Sequence, residues 1–107
     1  MNIEMVRLFD IYFPLLNERQ REILSLYYNE DESLSEISEN VGITRQGVRD
    51  CIVKSEALLR SYENSLGLSQ KYRHIVNELS EIAKNISEGG SPSDIINRIN
   101  ALIGTLY

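Results

Sequence analysis

Residues Leu34–Arg60, LSEISENVGITRQGVRDCIVKSEALLR, hold two helix-start signals on either side of one glycine, and no other stretch limits the fold so tightly. Ser33 followed by Glu36 is a capping box, in which the hydroxyl and the carboxylate each satisfy an orphan backbone N–H at a helix start. Ile37 and Val41 give this short helix one apolar edge. Gly42 then ends it, because glycine takes positive φ with no Cβ penalty. Thr44 is placed to cap a second helix, with Ile43 before it and Val48 after it as a hydrophobic staple. A short helix, a glycine turn and a capped second helix are the parts of a helix-turn-helix unit.

Such units usually meet nucleic acid, and the charge balance argues against an indiscriminate version of that task. The net charge is −5 and the pI is 4.8. Residues 17–66 carry six basic and ten acidic side chains, and residues 67–107 carry four of each. Non-specific affinity for DNA or anionic membrane comes from Lys and Arg neutralising phosphates, which an acidic body lacks. A length of 107 residues allows one compact domain with an appendage. The single cysteine, Cys51, excludes an internal disulfide and falls on an apolar helix face as a small buried thiol. The opening MNIEMVRLFD is too acidic for a signal peptide, and no apolar run approaches the ~20 residues that span a bilayer. A cytoplasmic setting without membrane insertion is expected.

Helical periodicity runs through the chain without strand alternation, so the expected class is all-α. Ile3, Val6, Phe9 or Leu8, and Phe13 mark a first helix over 2–13, which Pro14 closes. Asn17 with Gln20 opens a second helix to about Tyr28, with Ile23, Leu24 and Tyr27 as core candidates, before a polar turn at Asn29–Glu32. Helices at about 33–40 and 44–66 follow. On the longer one, Val48, Cys51, Ile52, Ser55, Leu59, Tyr62 and Leu66 share a face, more than three short helices cover. Gly67 stops this helix and Ser69 is expected to cap the next. Residues 69–88 carry Tyr72, Ile75, Val76, Leu79, Ile82, Ala83 and Ile86 at helical spacing. After Gly89-Gly90, Ser91 and Pro92 start a last helix over 92–106, with Ile95, Ile96, Ile99, Leu102, Ile103 and Leu106. The expected organisation is a helix-turn-helix domain over 1–66, motif 33–60, and a C-terminal helical hairpin over 67–107. That hairpin either covers the long helix of its own chain or meets a second copy, and a homodimer is the expected state.

Catalytic chemistry finds little footing. His74 is the single histidine and has no acid–base partner among its sequence neighbours. Clustered metal ligands, calcium-loop order and phosphate-cradling glycine motifs are absent from the sequence. The expectation is a non-enzyme with no cofactor and no metal. The tyrosines are expected at core edges, with their hydroxyls reaching water, rather than as base-stacking platforms.

The outward face of the second motif helix is the candidate site. Gln46, Arg49, Asp50, Val53, Lys54, Ala57, Arg60 and Ser61 point away from the core, and Arg45 lies at the edge. In a DNA reader the first turns of this helix meet base edges, where Gln46 suits adenine and Arg49 guanine. Thr44, Arg45 and Lys54 suit phosphates. Asp50 repels phosphate, and Gly47 weakens the helix by about 1 kcal/mol relative to Ala.

Glu18-Arg19-Gln20-Arg21-Glu22-Ile23-Leu24-Ser25-Leu26-Tyr27-Tyr28, then Leu34-Ser35-Glu36-Ile37-Ser38, Val41-Gly42-Ile43-Thr44-Arg45 and Val48, resemble region 4 of bacterial sigma factors over about residues 15–60. Across the whole chain the resemblance is to the small YlxM family of helix-turn-helix proteins. It is carried by Leu8-Phe9-Asp10-Ile11-Tyr12, Leu26-Tyr27-Tyr28-Asn29-Glu30-Asp31, Ser33-Leu34-Ser35-Glu36-Ile37, Thr44-Arg45-Gln46-Gly47-Val48-Arg49-Asp50 and Glu56-Ala57-Leu58-Leu59. Gly47 and Ser38 stand where these patterns carry alanine. The YlxM resemblance implies a bacterial protein linked to the signal recognition particle and protein export. The expected function is therefore a nucleic-acid-binding regulator of that pathway, with DNA or signal recognition particle RNA as partner. The alternative is an adaptor that contacts the signal recognition particle GTPase directly, which the acidic balance, Asp50, Val53 and Ala57 favour.

Overall fold

The computed structural model describes residues 2–106. These form six α-helices and one 3₁₀ turn, with no strand among the described residues. The helices are α1 (Ile3–Tyr12), α2 (Glu18–Tyr28), α3 (Leu34–Val41), α4 (Arg45–Leu66), α5 (Leu68–Ser87) and α6 (Pro92–Thr105), with the 3₁₀ turn at Phe13–Leu15. The chain divides into two compact units, Met1–Ser69 and Gln70–Tyr107.

In the first unit each helix starts where a side chain takes up orphan N–H groups. Asn2 Oδ1 accepts from Glu4 N at 3.0 Å and Met5 N at 3.3 Å. Asn17 and Gln20 form a complete capping box on α2, and Ser33 and Glu36 form another on α3. Thr44 Oγ1 accepts from Gly47 N at 3.0 Å to cap α4. Gly42 (φ 80°) and Gly67 (φ 62°) sit in the left-handed region and terminate α3 and α4, as expected of residues without a Cβ.

The core of this unit gathers Met5, Leu8, Phe9, Tyr12, Leu16, Ile23, Leu24, Tyr28, Ile37, Val48, Ile52 and Leu59. A fully buried side chain such as Ile23 or Leu59 contributes roughly 1.5–3 kcal/mol by leaving water. Three expected placements change. Helix α1 buries Met5, Leu8, Phe9 and Tyr12, while Ile3 stands exposed. Both stripes have helical spacing, and the buried one brings Phe9 against Tyr28, ring centroids 5.6 Å apart. Phe13 leaves the helix for the 3₁₀ turn, where it packs edge-on against Phe9. On α2 the core position falls to Tyr28 rather than to Tyr27.

Along α4, Val48, Ile52, Ser55 and Leu59 are buried, and Cys51 and Tyr62 are half-buried. Cys51 Sγ lies 3.8 Å from the Ser55 hydroxyl. The stripe ends at Tyr62, whose hydroxyl donates to Leu15 O, and Leu66 is exposed. Helix α5 begins directly after Gly67, so Ser69 is its second residue and not its cap. Its first N–H groups are met from elsewhere: Leu68 N donates to Tyr12 Oη at 3.1 Å and Ser69 N to Glu63 Oε1 at 3.0 Å.

In the second unit Ser91 Oγ accepts from Asp94 N, with Pro92 at the first helical position of α6. Ile82 and Leu102 are buried, and Ile75 and Ile95 are half-buried. Arg98 reaches Glu78 at 3.7 Å and Glu81 at 3.9 Å. Most of the other apolar residues at helical spacing in this unit lie outside its core. Tyr72, Val76, Leu79 and Ile86 of α5, and Ile96, Ile99, Ile103 and Leu106 of α6, are exposed. Two helices have one mutual contact face, and both carry apolar residues well beyond it.

Candidate nucleic-acid interface

Helices α3 and α4 are held by their apolar edges, Ile37 on α3 and Val48 on α4, both fully buried. The turn between them is tied by the Ser38 hydroxyl, which donates to Ile43 O. With Val48, Ile52, Ser55 and Leu59 turned inward, the opposite face of α4 is fixed. Thr44, Arg45, Gln46, Arg49, Asp50, Val53, Lys54, Ala57 and Arg60 are all exposed on it or at its start.

The ion pairs among the described residues join Arg19 to Glu22 and Arg98 to Glu78 and Glu81, and none engages Arg45, Arg49 or Lys54. Their guanidinium and ammonium groups therefore face solvent without a carboxylate at ion-pair distance. Thr44 spends its oxygen on the cap and keeps its O–H for an outside acceptor. Gln46 is less free, because its amide donates to Asp50 Oδ1 at 2.9 Å across one helical turn. Reading adenine needs the donor and the acceptor of that amide together, so Asp50 competes with a base for half of the contact.

Lys54 lines a shallow groove with Asn17, Arg19, Gln20, Gly47, Asp50 and Cys51. Arg19, absent from the sequence-based set, thereby joins the face from the first turn of α2. Its sequence signal was an exposed arginine beside a cap, and only the packing of α2 on α4 makes it relevant. Gly47 does not interrupt α4. A Cβ there would stand 3.2 Å from Thr44 Oγ1 and 3.5 Å from Ile43 Cδ1, close to the cap and the staple.

Two other polar arrangements of this unit involve Tyr28 of α2 and Glu36 of α3. Tyr28 donates its hydroxyl to the Glu56 carboxylate, and burial together with that carboxylate pushes its pKa well above the usual phenol range. Glu36 is held below the ordinary carboxylate range, because its carboxylate accepts the Ser33 backbone N–H at 3.0 Å. Both arrangements serve the fold. Among the described residues no group of three or more His, Cys, Asp or Glu stands together to hold a metal ion. No helix among them is long and apolar enough to cross a membrane.

Against known proteins, residues 1–103 match a family described as "UPF0122: Putative helix-turn-helix protein, YlxM / p13 like". This chain belongs to the UPF0122 family. A UPF0122 protein of Thermoanaerobacter pseudethanolicus is 45% identical over 82 residues, covering 77% of this chain and 70% of that one. One from Acetivibrio thermocellus is 47% identical over 83 residues, covering 78% and 71%. One from Halalkalibacterium halodurans is 38% identical over 104 residues, covering 97% and 92%. The YlxM resemblance carried by the sequence motifs is thus confirmed along nearly the whole chain. The unit α3–Gly42–α4 of this UPF0122 protein has the element order that the family description names.

Proposed function

We propose that this UPF0122 protein is a nucleic-acid-binding regulator that presents the first turns of α4 to DNA or to signal recognition particle RNA. One observation carries the reading: Arg45, Arg49 and Lys54 are exposed on a capped helix, and among the described residues no carboxylate pairs with them. Leaving such cations unpaired keeps them available for phosphate and base edges. The sigma-region-4-like sequence over about residues 15–60 supports the same docking, with α4 entering a groove. Thr44, Arg45 and Lys54 take phosphates, with Arg19, which pairs with Glu22, beside them, and Gln46 and Arg49 take bases. The acidic body removes general attraction, so binding is selective and salt-sensitive. The protein acts without catalysis or cofactor, in the cytoplasm. Its place in the protein-export pathway rests on the YlxM resemblance.

Binding of the full chain to genomic DNA fragments, signal recognition particle RNA and its GTPase, measured in parallel across salt, tests this reading. Arg49→Ala is expected to cost about 1–3 kcal/mol on the preferred sequence and to relax discrimination there. Lys54→Ala is expected to weaken all sequences evenly and reduce the salt slope by about one. Tight binding indifferent to both substitutions overturns the proposal.

A second reading has its own observation. Val53 is 59% exposed, and Ala57 is exposed one turn further along the same face. Apolar groups beside Arg49 suit a protein surface, and here the partner is the signal recognition particle GTPase. Capture of that GTPase after nuclease treatment, lost on Val53→Asp, supports this adaptor role; loss of capture on nuclease treatment counts against it.

A further inference from the structure

The hairpin of α5 and α6 carries two apolar stripes on each helix, and only one of them is used within the hairpin. On α5 the inner stripe is Ile75 and Ile82, and on α6 it is Ile95 and Leu102, all buried or half-buried. The outer stripe is offset by one residue on both helices. It runs Tyr72, Val76, Leu79, Ala83 and Ile86 on α5, and Ile96, Ile99, Ile103 and Leu106 on α6, all exposed.

The spacing of the outer stripe alternates four and three residues on α5, and three and four on α6. That is the 3.5-residue period of a seam between packed helices rather than a general amphipathic face. One residue step turns about 100° around a helix axis. Helices α5 and α6 run antiparallel, as the Arg98 contacts to Glu78 and Glu81 across the Gly89-Gly90 loop require. Viewed from one end, the step therefore turns clockwise on one helix and anticlockwise on the other. Starting from inner stripes that face each other, both outer stripes arrive on the same side of the hairpin. Each helix then has two contact faces near a right angle, which is what every member of a four-helix bundle needs.

We propose that this outer face packs on the same face of a second copy, so that two hairpins form a four-helix bundle about a two-fold axis. Size and charge favour a second copy. Excluding Ala83, the eight large side chains are 38–59% exposed. At roughly 75–100 Å² each they offer on the order of 600–800 Å² per copy, close to the about 800 Å² per partner of a standard interface. Apolar patches of that extent are unusual on a monomer. Residues 67–107 carry four basic and four acidic side chains, so no net charge opposes self-association. One step beyond the stripe, Asn77, Ser80, Ser87, Asn97, Asn100 and Gly104 are uncharged, and Arg73 and Lys84 are the cations at its margin. An isologous pairing matches the seam with its own period and polarity and needs no complementary partner surface. This inference stands independently of what α4 binds.

The test is sedimentation equilibrium of the full chain over about 1–100 μM, with thermal melts at the same concentrations. The expected result is a dimer mass and a melting temperature that rises with concentration. Val76→Glu with Ile103→Glu, both at exposed positions of the single copy, is expected to raise the dimer dissociation constant about 100-fold or more with helicity kept by circular dichroism. A wild-type monomer throughout the range overturns the proposal, as does a dimer that survives both charges. Should the double variant unfold, the milder Ile99→Ser is read in its place, and a dissociation constant unchanged by it overturns the interface equally.

Discussion

Tyr12 donates its phenolic hydrogen to Glu63 Oε1 at 2.6 Å, and the two oxygens together cap the start of α5. The phenol comes from α1 and the carboxylate from α4, 51 residues apart in the chain. Leu68 N and Ser69 N, freed by the Gly67 turn, find their acceptors there. The arrangement explains how α5 starts without a capping residue of its own.

Breaking this cap is expected to destabilise the first unit. Tyr12→Phe removes the acceptor of Leu68 N and the donor to Glu63, at a cost of about 1.5–3 kcal/mol for a hydrogen bond to a charged group. Glu63→Ala is expected to cost a similar amount, and the pair to couple by about 0.5–3 kcal/mol in a double-mutant cycle. Urea unfolding of the four proteins measures this; additive costs show that the two oxygens act separately.

Acid is expected to loosen α3 in a defined window. The Glu36 pKa is lowered from the ordinary 4.5 by its bond to Ser33 N. The folded form then binds fewer protons than the unfolded one, so this stability is present above pH 4.5 and lost as pH falls through the lower folded value. Glu36→Gln keeps a capping acceptor without the titration, and its acid unfolding curve should be flatter below pH 4.5 than the wild type's. Ser33→Ala should cost about 1 kcal/mol at neutral pH.

Alkali acts on the Tyr28–Glu56 pair. The Tyr28 pKa is raised from 10.0 by burial and by Glu56. A raised acid binds its proton longer in the folded state, so its stability is full below pH 10 and declines above it as the unfolded phenol ionises. Tyr28→Phe should reduce the fall in denaturant midpoint between pH 9 and pH 11. An equal fall in both proteins would assign the alkaline sensitivity elsewhere.

Asp50 is expected to restrain the candidate interface. Asp50→Asn removes a negative charge beside Arg49 and Lys54 and replaces the charge-assisted grip on the Gln46 amide with a weaker one. Affinity for non-specific duplex should rise several-fold at low salt, with the gain fading as salt increases. Fluorescence anisotropy with an unrelated duplex reads this directly, and unchanged affinity would place Asp50 away from the bound phosphates.

Helix boundaries were legible because their signals are local. A cap lies within three residues of the N–H it satisfies, so Asn17, Ser33, Thr44 and Ser91 announce their helices, and Gly42 and Gly67 announce the ends. The outward set Thr44, Arg45, Gln46, Arg49 and Lys54 was legible for a related reason. Val48, Ile52, Ser55 and Leu59 leave α4 only one way to turn. Rotational choices between two apolar stripes were not legible, because each stripe satisfies the same period. Contacts distant in sequence selected Met5 and Tyr12 over Ile3 on α1, and Tyr28 over Tyr27 on α2. The Glu63 cap on α5 and the place of Arg19 beside Lys54 likewise arise only when α1, α2 and α4 pack together. The chain's own pattern thus settled the all-α class, the helix order and the face of α4, since backbone hydrogen bonding and periodicity act over a few residues. Packing alone decided which side chains became core, cap or exposed, since burial depends on what lies opposite.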